Sequence, residues 1–342
     1  MVSLTILELG ALNGKLINSF NLKSREIEVE LTNYGASVLS IRVPDNTGKM
    51  TDVVLGYKNI EDYFKSDKFL GATVGRSANR IKGGIAEIKG EKIQLSLNDG
   101  ENHIHGGFCG LNKKVWDYIQ IENGIKFSYL SLDGEEGYPG NLKIEVSYTV
   151  ENSSLQINYR ATSDKDTIFS PTNHTYFNLS GHGDILNQYV QINSDFYTEN
   201  DEKSLPNGKI CSVKNTPMDF RQFKKIKDDI ESDFDQIIYG KGFDNNWVIK
   251  DFNGDIKSAA KAYSPDNGIK LEVLTDLPGI QFYSGNYLDD EFKSRNDIKI
   301  DKRCGFCLEC QYFPNSFANE KFIKPILYAE EIFDKNIIYK FN

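Results

Sequence analysis

Hydrophobic and polar positions along this chain alternate far more often than they recur at helical spacing. From Glu26 onward, Ile27, Val29 and Leu31 alternate with Glu26, Glu28 and Glu30, a pattern that makes one buried and one wet face. Residues 142–150 repeat it, with Ile144, Val146, Tyr148 and Val150 set against Lys143, Glu145, Ser147 and Thr149. A turn at 151–154 then leads into LQINYRAT, which predicts a hairpin partner. Similar runs occur at AEIKG…KIQLSL, YVQINSDFY, IKLEVLTD, GIQFYSGNY and FCLECQYF, separated by turns rich in Gly, Asn and Asp.

Helical spacing is scarce. It predicts a helix within residues 221–239, where Phe223, Ile226, Ile230, Phe234 and Ile237 recur at three- and four-residue steps, and a turn or two at 60–64. Many strands and few helices predict an all-β antiparallel sandwich or barrel and not a βαβ fold. With no Pro- or Ser-rich linker and no repeat, the simplest organisation is one large domain over residues 1–342.

Charge narrows the partners. The chain has 40 basic and 49 acidic residues, a net charge of −9, and no basic tract. Neither nucleic acid nor an anionic membrane is then the expected main partner. No stretch approaches the roughly 18 apolar residues that span a bilayer, and the first residues lack a signal-peptide layout, so a cytoplasmic protein is expected. Five cysteines, three of them at 304, 307 and 310, do not form a secreted disulfide framework. If 304–311 is a strand, Cys307, Glu309 and Gln311 share one face while Cys304, Leu308 and Cys310 share the other. Three sulfurs on two faces make no cluster, so no metal is expected.

Candidate chemistry is concentrated in a few strings. Glu309 is a carboxylate inside an apolar strand, which costs free energy unless an arginine pairs with it or a reaction uses it. The four histidines are His103, His105, His174 and His182. His103 and His105 are two apart, so in an extended segment only one of them reaches a given site. His105, beside Gly106 and Gly107, suits a donor to a ligand hydroxyl, the glycines letting a bulky ligand approach the backbone. His174 lies in PTNHTYFNLSG, either as a buried structural histidine or as a titrating group. Asp244 sits in GFDNNW, Gln281 beside Phe282 and Tyr283, and Arg76 and Arg80 in the loop string GATVGRSANRIKGG. Carboxylates, amides, a few cations and flat aromatic rings are what a sugar requires. There is no phosphate loop, dinucleotide fingerprint or Gly-x-Ser-x-Gly elbow, so no cofactor is expected.

Taken in order, LTNYGASVLSIRVPD, TDVVLGY, LGATVGRSANRIKGG, NHIHGG, DGEEGYPG, PTNHTYFNLSG, PMDFR, FDNNWVI, TDLPGIQFYSGN and FCLECQYFPNS resemble the aldose 1-epimerase (galactose mutarotase) family nearly end to end. The resemblance implies a large two-layer antiparallel β-sandwich (a supersandwich) with an open sugar cleft. It implies interconversion of the α and β anomers of free aldohexoses such as galactose and glucose, without a cofactor. In that family's pattern Glu309 is the general base on the C1 hydroxyl and His174 the general acid on the ring oxygen. Arg80, His105, Asp244 and Gln281 contact the sugar. A monomer or homodimer is expected, with Glu309 and Asp244 raising the His174 pKa so that it stays protonated. Three rivals remain at this point: an epimerase of hexose 6-phosphates leaning on Arg76 and Arg80, a glycosidase pairing Asp244 with Glu309, and a non-catalytic sugar binder.

Overall fold

The alternation at 142–150 becomes the strand Leu142–Glu151, whose burial alternates residue by residue, hairpinned to Ser154–Ser163 in register Glu151↔Ser154. The computed structural model describes residues 2–289, 292–295 and 299–342. Leu142–Glu151 belongs to a nine-stranded antiparallel sheet running from Asp117–Ile121 to Lys224–Lys225. A six-stranded antiparallel sheet is ordered Tyr176–Phe177, Phe306–Gln311, Gly279–Tyr283, Asp244–Val248, Phe196–Asn200, Pro206–Ser212. A third sheet is an antiparallel meander of five strands over residues 3–52.

One apolar core joins the layers. Ile144, Val146, Ile157, Val273 and Ile337 of the nine-stranded sheet share it with Trp247, Ile280, Phe282, Leu308 and Cys310 of the six-stranded sheet, and with Phe20, Val29 and Leu31 of the meander. Each fully buried Leu, Ile, Val or Phe contributes about 1.5–3 kcal/mol, so this shared interior is what holds the sheets face to face.

The expected helix at 221–239 does not form. Lys224–Lys225 pairs with Tyr189 and Val190 at the sheet edge, Ile226–Asp228 is a single tight turn, and only Asp235–Gly240 is helical. The apolar residues still turn inward, with Ile226, Ile230 and Ile237 buried, but they do so from successive turns. Edge pairing outcompetes a helix weakened by Asp228, Asp229, Ser232 and Asp233, residues that favour turns over helix interiors. The short helix at 60–64 is present as Ile60–Lys65.

Candidate active site

Strand parity builds the site on the six-stranded sheet. In Phe306–Gln311 every residue is buried: Phe306, Leu308 and Cys310 face the apolar core, and Cys307, Glu309 and Gln311 face away from it. The neighbouring strands extend that second face. Asn246 lies opposite Gln281 and Gln281 opposite Glu309; one pair further along, Asp244, Tyr283, Cys307 and Tyr176 stand in a row. Cys304 precedes the strand in a loop, its thiol near the Lys299 carbonyl, and so does not share a strand face with Cys310.

His174 reaches this face just ahead of Tyr176–Phe177. Its N–H donates to the Ala72 carbonyl at 2.9 Å and its carbonyl accepts from Gly71 N–H at 3.0 Å, which fixes its backbone. Its Nε2 is 3.8 Å from Glu309 Oε1 and its Nδ1 is 3.4 Å from Cys307 Sγ. The first separation is too long for a hydrogen bond. His105 packs edge-on to His174 with ring centroids 5.3 Å apart, and its Nδ1 accepts from Asn79 N–H at 3.2 Å. Phe69 closes over both imidazoles, 4.8 Å from His105 and 5.8 Å from His174. Gln281 Nε2 donates to Asp244 Oδ1 at 2.7 Å, and Arg80 Nε donates to Asp99 Oδ2 at 2.7 Å. The six residues the family resemblance implies, Arg80, His105, His174, Asp244, Gln281 and Glu309, bear on this one region, Arg80 through its charge on Asp244 and His105.

Burial governs the protonation. It pushes the Glu309 acid well above the ordinary carboxylate range, with the charge of Asp244 adding to the effect. Asp244 is raised too, by desolvation, partly offset by Arg80 and the Gln281 hydrogen bond. His174 is pushed down to about 4 by burial, which reverses the expectation that neighbouring carboxylates keep it protonated. The physical reason is that desolvation penalises every charged form here, so the carboxyl meant to hold the imidazolium is itself neutralised. His105 lies well below its usual value through burial and then the nearness of His174.

Polar groups on this face keep unused hydrogen-bonding capacity. Glu309 Oε2, Gln281 Oε1, both amide atoms of Asn246 and both of Gln311 are buried without a partner. Orphan atoms of that density are rare in folded interiors and mark a surface arranged to meet a polar ligand.

Other candidates turn out to be structural. Arg76 is buried and donates to Ser131, Thr167 and the carbonyls of Ser131, Leu132, Pro139 and Gly140, with nothing left for a ligand. His103 bridges the Ser96 carbonyl and the Tyr138 hydroxyl at 2.7 and 2.6 Å. Gly106 and Gly107 admit the protein's own Gly75 carbonyl and Glu136 carboxylate, not a ligand: a Cβ at either would collide with those atoms. His182 lies in a loop, its carbonyl accepting from the Asn178 side chain, and lines a separate groove with Asp52 and Arg295. Sequence reasoning placed Gln311 on the face of Glu309 without giving it a role and missed Phe69 and Asn246; Asn246 was legible, as it is two residues from Asp244 on the same strand.

A groove of about 1000 Å³ lined by Asp195, Asp219, Arg221, Lys224, Lys250 and Lys261 lies elsewhere on the surface. Its charges pair with one another, as in Arg221–Asp219 at 2.6 Å and Lys250–Asp195 at 2.8 Å, and it gathers none of the candidate residues. The buried imidazole–carboxyl pair is the better site.

An antiparallel β-sandwich with a buried imidazole and carboxyl amid amides and aromatic rings fits a carbohydrate-handling protein. The aldose 1-epimerase profile matches residues 18–340, and the chain belongs to that family. Galactose mutarotase from Rattus norvegicus is 37% identical over 100% of this chain and 99% of its own length. Aldose 1-epimerase from Escherichia coli K12 is 36% identical over 87% of this chain and 86% of its own. Among solved structures, galactose 1-epimerase from Lactobacillus acidophilus superposes with a TM-score of 0.88 at 32% identity, covering 100% of this chain and 99% of that one. The protein is therefore a carbohydrate isomerase that interconverts aldose anomers. Among the described residues no helix is long and apolar enough to cross a membrane.

Proposed function

We propose that this chain, acting as a single domain, interconverts the α and β anomers of free aldohexoses, D-galactose and D-glucose, with Glu309 and His174 as the proton-transfer pair. The observation that carries this reading is the 3.8 Å approach of His174 Nε2 to Glu309 Oε1, between two groups that keep no direct hydrogen bond to each other. Opening a hemiacetal ring removes a proton from the C1 hydroxyl and delivers one to the ring oxygen. Glu309 as carboxylate takes the first and His174 as imidazolium supplies the second. The aldehyde turns about C1–C2, and the ring recloses with the two roles exchanged. Each positioned transfer contributes about 10²–10⁴-fold.

The reaction needs one proton shared by the pair. The neutral pair favoured by burial, with Glu309 protonated and His174 neutral, holds the same number of protons as carboxylate plus imidazolium. Sugar hydroxyls replacing the missing hydrogen bonds tip the pair toward the charged arrangement. Arg80, His105, Asp244 and Gln281 hold the ring in place, and the orphan amides supply further donors and acceptors.

One rival loses ground on a specific residue. Arg76, one of two arginines a phosphate-binding reading leaned on, is spent on loop carbonyls. Polarimetry of freshly dissolved α-D-galactose and α-D-glucose tests the proposal. Faster decay of rotation to the same end point, lost in Glu309→Gln, is expected; no acceleration with either sugar refutes it.

A further inference from the structure

Cys307 is a thiol in contact with His174 that anomer interconversion does not employ. Its thiol is fully buried and in contact with a ring nitrogen of His174, on the same strand face as Glu309. Thiolate, imidazole and carboxylate are the three ligand types that bind zinc. With metal–donor bonds of about 2.0–2.3 Å, a tetrahedron has donor–donor edges of about 3.3–3.8 Å. A single ion takes one nitrogen of His174: Nδ1, 3.4 Å from Cys307 Sγ, provides one such edge, while the 3.8 Å approach of Glu309 Oε1 is to the other nitrogen, Nε2, and one donor atom from each of the three residues lies within 4.8 Å of the other two, so the carboxylate closes in when an ion binds.

Two further features favour an ion. Glu309 Oε2 is buried with no hydrogen-bond partner, so a ligand lone pair is unspent. A dication held by one thiolate, one carboxylate and one neutral imidazole is also electrically neutral overall, the arrangement a desolvated pocket tolerates best.

We propose that His174, Cys307 and Glu309 form an inhibitory site for a thiophilic divalent cation, zinc first among them. Three protein ligands leave the fourth position to water. The ion ties up both proton-transfer groups, so its binding competes with productive sugar binding. This regulatory reading rests on the proposed mutarotase chemistry, but the site itself does not.

The test uses the full chain carrying Cys109→Ser, Cys211→Ser and Cys304→Ser, which removes the exposed and half-buried thiols. Cadmium titration should give one ion per chain and an ultraviolet thiolate-to-cadmium band that disappears when Cys307→Ser is added. Zinc should slow mutarotation competitively with galactose, and a chelator should restore the rate. Each variant is compared with its own metal-free rate. Cys307→Ser should weaken zinc inhibition by at least the about 10–100-fold that loss of even an outer-shell partner costs. Where Cys307→Ser does not fold, Glu309→Gln serves instead, keeping the band but requiring more cadmium to reach it. No band in the triple variant, or equal zinc inhibition with and without Cys307, overturns the proposal. A band in a protein that never mutarotates would support the metal site and sink the mutarotase reading; mutarotation without a band does the reverse.

Discussion

Replacing Glu309 with glutamine should abolish activity and stabilise the fold, and the stability half can be worked from the structure. The Glu309 acid is raised well above its ordinary value by burial and by Asp244. Above an ordinary carboxylate pKa of about 4.3, the unfolded chain has released a proton that the folded chain still holds. Wild-type stability attributable to this group is therefore full below about pH 4.3 and is lost as pH rises toward the raised folded value, at about 1.4 kcal/mol per pH unit. Glutamine carries no such proton, so the variant escapes the loss. Unfolding entropy of about 2.1 cal/mol/K per residue over 342 residues converts 1 kcal/mol into about 1.4 °C of melting temperature. The variant should thus gain about 2 °C on wild type for each pH unit across that window, and nothing below it. Differential scanning calorimetry from pH 4 to 9, beside polarimetry on the same samples, measures both effects. Activity should fall by about 10²–10⁴-fold. A melting-temperature difference independent of pH would refute the argument from a raised, buried carboxyl. Retained activity would refute the assignment of Glu309 as the base.

The productive form shares one proton between His174 and Glu309, so kcat/KM should trace a bell. Its acid limb should follow His174 at about 4, and its alkaline limb the raised Glu309; an acid limb near 6.5 would count against burial as the controlling effect. Asp244→Asn should raise KM and move the alkaline limb downward, because Asp244 is the charge that helps hold the Glu309 acid up. Phe69→Ala should admit water to the ring it covers and move the acid limb toward the ordinary histidine value, read from the same profiles. Arg76→Ala should instead lower the melting temperature through a loss of more than about 3 kcal/mol, as several buried carbonyls lose their donor. Both pH limbs should stay in place in whatever Arg76→Ala protein folds.

The strands were readable because alternation is a local property: a polar side chain between two buried ones declares a face wherever the chain pairs. The same parity joined Cys307, Glu309 and Gln311 before any tertiary contact was known. The helix expected at 221–239 failed where a non-local event intervened, the pairing of Lys224–Lys225 with the sheet edge. Protonation was misjudged for a related reason. Sequence displays the charges of Glu309 and Asp244 but not the depth at which they and His174 lie, and depth decides whether Coulomb attraction or desolvation wins. The harder distinction was between Arg76 and Arg80, or His103 and His105, identical side chains in neighbouring positions. Hydrogen-bond accounting separates them. Arg76 and His103 bind the protein's own carbonyls and hydroxyls, so their polarity serves the fold. Glu309, Gln281, Asn246 and Gln311 retain buried atoms with nothing to bind. A fold tolerates that cost of about 1–3 kcal/mol per group where a ligand later satisfies it, and all four lie on the one sheet face where His174 meets Glu309.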